Sequence, residues 1–199
     1  MTSTRPSANT RLLHIAGAVR AHAPMLAGRD GTWFEAAVAL ILRETRDDVE
    51  LLFITRAARD DDPWSGQIAF PGGRYHTTDE TLEDTAVRET REEVGLELHR
   101  DGAVIGALDE LRPRIPALPP VIVRPFVATV SADATPGLSD EVAGHFWAPL
   151  AAILDPAATR ETEIVVRRTP TTRPAIHYEG HVIWGMTDHI LRSFEEIVR

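Results

Sequence analysis

Three carboxylates in the stretch Arg88-Glu89-Thr90-Arg91-Glu92-Glu93-Val94-Gly95-Leu96 stand at i, i+3 and i+4: Glu89, Glu92 and Glu93. On a helix they fall within roughly 100° of one face. The same arc runs back through Ala86 and Leu82, which should point inward, whereas a surface helix turns its charges away from its apolar stripe. Two unit charges about 4 Å apart repel by about 4 kcal/mol at an effective dielectric near 20. Arg88, four residues before Glu92, returns only about 0.3–0.5 kcal/mol as an exposed pair. The spacing asks for a cation that the sequence does not contain, and a divalent metal is the simplest candidate. Hard ions such as Mg²⁺ take oxygen ligands and are usually held by one or two carboxylates together with substrate phosphates. The chain has no cysteine, and the cluster has no histidine at zinc-like spacing, so a soft-metal site is not expected.

An isolated E-x-x-E-E reads more simply as a solvated acidic helix laced by Arg88 and Arg91. The flanking elements decide against that. Ile68-Ala69-Phe70 is a short apolar run ending in Pro71-Gly72-Gly73, a turn that lets backbone approach closely. Thr77-x-x-Glu80 then predicts a capping box opening the helix, and Gly95 predicts its C-terminal stop. The expected unit is a strand, a glycine loop, and a helix whose far end carries the acids.

This unit resembles the Nudix box, the loop–helix–loop signature of hydrolases that cut diphosphates linked to another moiety. The family pattern is G-x5-E-x7-R-E-U-x-E-E-x-G-U, with U an apolar residue. Arg88 to Leu96 matches its second half except for Thr90 at an apolar position. The first half is one residue longer: Gly73 and Asp79 keep one spacing, while Glu80 keeps the other to Arg88. The longer loop resembles the coenzyme A diphosphatase branch, with His76 and Asp79 where that branch has two aspartates. Ser65-Gly66-Gln67-Ile68-Ala69-Phe70-Pro71-Gly72-Gly73 and Ile183-Trp184-Gly185-Met186-Thr187 are also similar to that branch, whereas Asp62-Pro63-Trp64 replaces its basic and histidine lead-in.

The resemblance implies metal-assisted hydrolysis of a diphosphate with Mg²⁺ or Mn²⁺. Glu89, Glu92 and Glu93 would be ligands, a backbone carbonyl of Gly72 or Gly73 would complete the shell, and Arg88 would orient the glutamates. Glu141, ahead of Trp147, matches the position of a further ligand or general base, beside a reading as a plain surface glutamate. Arg56, Arg59 and Arg124 are candidate phosphate contacts beside a plain surface role. Trp64 stacks on a base or anchors its loop, and Arg112 and Arg114 sit in a proline-rich loop. Coenzyme A or a derivative is the expected substrate; nucleoside triphosphates, oxidised ones included, and ADP-ribose-type sugars are the alternatives. A Nudix-like sensor that binds a nucleotide derivative without cutting it is a further reading, but all three box acids are present.

Composition agrees with a single domain spanning residues 1–199, its N-terminal helix at about 8–20 and its catalytic core at about 33–199. At 199 residues and 43% hydrophobic the chain can bury a sizeable core. A formal net charge of −9 argues against nucleic-acid binding. The absence of cysteine excludes a disulfide framework. No stretch reaches the ~20 apolar residues of a membrane span, so a soluble cytoplasmic protein is expected.

Apolar positions Leu12, Leu13, Ile15, Ala16 and Val19 predict a helix packed on the domain or forming a homodimer contact. Strands are expected over Ala36–Leu42, Leu51–Thr55, Ala103–Leu108 and Val121–Val130, with another ending at Phe146-Trp147 and a short helix through Leu154. Extended segments follow at Glu163–Val166 and Ala175–Ile183, with a turn at Glu179-Gly180, before an amphipathic helix over Gly185–Val198. This order predicts an α/β/α sandwich with a mixed sheet, which the Nudix resemblance also implies.

Overall fold

The structure, a computed structural model, describes residues 8–58, 65–113, 120–166 and 169–199. Arg59, Trp64 and Arg114 lie outside those residues. After helix α1 (Ala8–Ala21) the chain enters β1 (Phe34–Glu44) and β2 (Val49–Arg56). A two-strand insertion follows, β3 (Ile68–Ala69) and β4 (Gly72–Arg74), and then helix α2 (Leu82–Val94). A short α3 (Leu98–Asp101) leads to β5 (Gly102–Ala107), β6 (Val121–Val130), β7 (Val142–Pro149) and α4 (Leu150–Ile153). The chain closes with β8 (Thr159–Val166), β9 (Thr169–Tyr178), β10 (His181–Ile183) and α5 (Gly185–Val198).

The main sheet is mixed. β1 runs parallel to β6, Phe34 beside Val121 through Arg43 beside Val130, and antiparallel to β2 and β4. β1 pairs with β2 only at its far end, Leu42–Glu44 against Val49–Leu51, and with β4 at Ala36–Val38. β2 meets β3 at Ile54–Thr55. The β3–β4 turn therefore wedges into the fork between β1 and β2, where the Pro71 carbonyl accepts the Ala39 amide at 2.8 Å.

Because β1 is covered on both faces, its sequence is a continuous apolar run rather than an alternation. Leu40 and Leu42 face one core with Phe53, α1 and α5; burying Phe194 of α5 there contributes about 1.5–3 kcal/mol. Ala37, Ala39 and Ile41 face the other, under Leu82, Ala86 and Val94 of α2. Small alanines on that face let α2 lie close to the strands. A second sheet of β8, β9 and β10 packs on the first core. The result is the expected α/β/α sandwich, plus a small sheet that the sequence had shown only as extended segments.

One boundary is corrected. The helix is capped by Thr81 and Asp84, not by Thr77 and Glu80: Asp84 N–H donates to Thr81 Oγ1 at 3.1 Å and Thr81 N–H to Asp84 Oδ2 at 2.8 Å. The preceding residues form a turn instead, the Asp79 amide donating to the His76 carbonyl at 2.9 Å. Gly95 ends the helix as expected, at φ 67°, with its N–H on the Arg91 carbonyl.

Candidate active site

The wedge and α2 bring glycine backbone and carboxylates together. Glu93 is 3% exposed, and its Oε2 accepts the Gly72 amide at 2.8 Å. Its Oε1 lies 3.9 Å from Arg56 Nη1, at the end of β2. Burial pushes the Glu93 carboxyl up to about 7; the Gly72 hydrogen bond and Arg56 oppose this, while the negative charges of Glu89 and Glu141 add to it. Burial also raises Glu89, with Glu92 and Glu141 pushing the same way and Arg88 pulling back. The inward acid face is thus Glu89 and Glu93. Glu92 departs from the expectation: its side chain is 50% exposed, at the rim of the helix face.

Arg88 contributes more than an exposed pair. Its Nε and Nη2 donate to the two oxygens of Asp79, each at 2.9 Å, and Nη2 also reaches the Arg74 carbonyl at 3.0 Å. Its Nη1 donates to Glu89 at 2.8 Å and to Glu92 at 3.1 Å. Part of the positive charge missing from the sequence reading is therefore this guanidinium, held in place by a two-pronged pair, the geometry arginine suits best. Asp79 is buried and also accepts Thr85 Oγ1 at 2.9 Å and the His76 amide at 3.1 Å. Arg88, ahead of these other donors, holds the Asp79 carboxyl well below the usual carboxylate range. Of the two acids before the helix, Arg88 engages Asp79 rather than the exposed Glu80. The signals for Asp79 in the sequence are the preserved Gly73-to-Asp79 spacing and its match to an aspartate of the branch with the longer loop.

Glu141 comes to the same end of the sheet. Its carbonyl accepts the Ala57 amide at 2.9 Å, next to Arg56, and its charge bears on both Glu89 and Glu93. Arg124 lies across β1 from Gly73, through the pairs Arg124–Ala37 and Ala37–Gly73. Its guanidinium is engaged by Glu110 at 2.5 and 3.0 Å, and Arg29 binds the same carboxylate. Arg112 pairs with Asp30 at 2.8 Å and lies over the ring of Trp33, which ties this side chain to the segment before β1.

Among the described residues no three His, Asp or Glu side chains already converge on an ion; Glu89 and Glu92 lie on Arg88. The donors present are nonetheless all hard oxygens, and the two inner carboxylates are raised first by burial and then by neighbouring acids, Glu93 by Glu89 and Glu141, Glu89 by Glu92 and Glu141, a cost a divalent cation relieves. The residues fit Mg²⁺ or Mn²⁺ and do not fit a thiophilic metal.

Residues 33–168 match the family model described as the NUDIX domain. A Nudix hydrolase of Yersinia pestis (strain Pestoides F), NudL, itself uncharacterized, is 33% identical over 150 residues, 74% of this chain and 72% of that protein. An uncharacterized protein of Schizosaccharomyces pombe (strain 972 / ATCC 24843) is 37% identical over 118 residues, 57% of this chain but only 36% of that protein. Solved structures share the fold. A MutT/nudix family protein of Enterococcus faecalis aligns with a TM-score of 0.56 at 17% identity, over 86% of this chain and 64% of that one. The NUDIX domain of Shewanella oneidensis NrtR, complexed with ADP ribose, aligns at 0.50 and 22% identity, over 62% and 77%.

The chain belongs to the NUDIX family, and a pyrophosphohydrolase is the class that its domain and hydrolase relatives support. Nudix hydrolases generally use divalent metal ions. Among the described residues no helix is long and apolar enough to cross a membrane.

Proposed function

We propose that this protein hydrolyses the diphosphate linkage of a nucleoside diphosphate joined to another moiety, with coenzyme A or a derivative as the substrate. The observation that carries the reaction is the buried Glu93 carboxylate, seated on the Gly72 amide beside Glu89 and facing Arg56. Burying two acids side by side is costly unless a cation joins them.

Glu89, Glu92 and Glu93 would hold Mg²⁺ or Mn²⁺, with the Gly72 or Gly73 carbonyl as a further ligand. Bound there, the ion would neutralise phosphate oxygens and acidify water. Arg88, fixed by Asp79, orients Glu89 and Glu92. Glu141, at the same end of the sheet, takes the proton of the attacking water. Arg56 supports the phosphate as charge accumulates on it, and Arg59, Trp64 and Arg124 are proposed as the further substrate contacts.

Coenzyme A is favoured by a contact between two distant stretches of the chain. Thr187 Oγ1, buried on α5, donates to the Ile68 carbonyl at 2.9 Å. Both residues lie in the segments that resemble the coenzyme A branch, so the two stretches form one local structure. We also propose residues 1–199 as one domain, because α1 and α5 share the core of the main sheet.

A panel of coenzyme A, ADP-ribose, NADH and nucleoside triphosphates, assayed in Mg²⁺ and Mn²⁺ for phosphate-containing products, tests the reading. Fastest cleavage of coenzyme A is expected. Faster cleavage of another compound overturns the substrate, and cleavage of none overturns the reaction.

A further inference from the structure

Four contacts close a ring around the C-terminal turn of α2. Arg56 Nη1 faces Glu93 Oε1 at 3.9 Å. The Glu93 carbonyl accepts the Ser139 amide at 3.1 Å. Ser139 Oγ accepts the Glu141 amide at 3.3 Å. The Glu141 carbonyl accepts the Ala57 amide at 2.9 Å, and Ala57 follows Arg56 in the chain. A parallel link joins the Gly137 amide to the Val94 carbonyl at 2.9 Å, and the Ser139 carbonyl accepts the Val142 amide at 3.2 Å where β7 begins.

The last carbonyls of a helix have no partner within it. In α2 those of Glu93 and Val94 are taken by the connection that delivers Glu141. Glu93 therefore works at both ends: its carboxylate is fixed by Gly72, and its own carbonyl fixes the segment that brings the other acid. Ser139 stands between them with all three of its polar groups in use, its amide on Glu93, its hydroxyl under Glu141 and its carbonyl on Val142. Its hydroxyl is the link in this chain that a substitution removes without disturbing backbone. Glu141 itself is exposed, and its two backbone ties, to Ser139 Oγ and to the Ala57 amide, set where its Cα stands.

We propose that Ser139 is a positioning residue, tying the backbone of Glu141 to the Glu93 carbonyl and so setting where the Glu141 carboxylate stands relative to the acids of α2. The inference rests on the reading of Glu141 as the residue that acts on the attacking water. A displacement of about 1 Å in such a group costs up to about a hundredfold in rate.

The test compares Ser139→Ala, Ser139→Thr, Glu141→Gln and the double variant Ser139→Ala/Glu141→Gln in Mg²⁺, on the panel compound cleaved fastest. Ser139→Ala is expected to lower kcat about two- to tenfold, the rate equivalent of one hydrogen bond, at unchanged KM and unchanged thermal midpoint. Ser139→Thr, which keeps the hydroxyl, restores kcat. The double variant is no slower than Glu141→Gln alone, because the serine acts only through Glu141. A wild-type kcat in Ser139→Ala beside an impaired Glu141→Gln overturns the inference and leaves the proposed reaction standing, as does a double variant in which the two losses multiply. A wild-type kcat in Glu141→Gln overturns the role of Glu141 and the inference with it.

Discussion

The carboxylate of Glu89 lies where a side chain on Gly73 would begin. A Cβ built on Gly73 would stand 2.5 Å from both Cδ and Oε1 of Glu89. The neighbouring glycine is constrained differently. At Gly72 the backbone has φ +153°, and a Cβ would meet the Ala37 carbonyl oxygen at 2.3 Å and Val38 Cα at 2.6 Å. One glycine makes room for the Glu89 carboxylate, and the other for the sheet itself.

The two therefore fail differently when substituted. Gly73→Ala is expected to displace the flexible end of Glu89, lowering kcat by about tenfold or more with little change in thermal midpoint. Gly72→Ala meets backbone that cannot yield and should cost at least about 2 kcal/mol of stability. Denaturant unfolding beside steady-state kinetics separates them; equal stability loss in both variants would defeat the distinction.

Glu93→Gln keeps the size of the side chain and an acceptor for Gly72, but removes the charge a metal would bind. Turnover is expected to fall by orders of magnitude with the fold intact by circular dichroism, and Mn²⁺ binding measured by calorimetry should weaken with it. Excess chelator should abolish wild-type activity. Full activity in chelator, or in both Glu93→Gln and Glu92→Gln, would remove the metal from the reaction.

Asp79 predicts a pH dependence of stability. Its carboxyl is held below the unfolded value of 3.8 by Arg88, so the folded state favours the ionised form. The resulting stabilisation is fully present above that unfolded value and is lost as pH falls through the lower folded one. Asp79→Asn should cost about 3 kcal/mol at pH 7, as breaking one side of a buried pair does. The gap to wild type should stay flat down to about pH 4 and narrow only below it. A gap that closes between pH 7 and 5 would assign the effect to another group.

Coenzyme A carries a 3′-phosphate that dephospho-coenzyme A lacks. If a basic residue contacts that group, its loss should lower kcat/KM by roughly ten- to a hundredfold, the equivalent of about 1.5–3 kcal/mol for a charge-assisted hydrogen bond. Equal rates on the two compounds would defeat the contact without touching the hydrolase assignment.

Much of this was legible in the chain because it is local. Val121–Val130 and Gly185–Val198 were read with the boundaries they have in the structure, and Gly95 was read as the helix stop. Glu93 was legible as an inward acid because Leu82 and Ala86 precede it on its face. What failed depended on choices between near-equal local signals or on distant partners. Thr77-x-x-Glu80 and Thr81-x-x-Asp84 offer the same capping chemistry four residues apart; in the fold Asp79 sits in a turn on Arg88 and the helix opens at the second. That Arg124 shares Glu110 with Arg29 could not be read from spacing, since the three come from separate parts of the chain. The pairing of β8 on β9 was equally invisible, because extended segments do not announce their neighbours, whereas the Glu179-Gly180 turn marks where β9 folds back onto β10.

The wedge of β3 and β4 into the β1–β2 fork leaves the backbone beneath the acids without a hinge, since Ala39 grips Pro71 on one side and Thr55 pairs with Ile68 on the other. A floor pinned on both sides is not expected to adapt to what binds over it. The conformational entropy of ordering the floor is lost once, during folding, and is not charged again against each substrate that binds. The relation of the Gly72 amide to the Glu93 carboxylate is then the same before and after a ligand arrives.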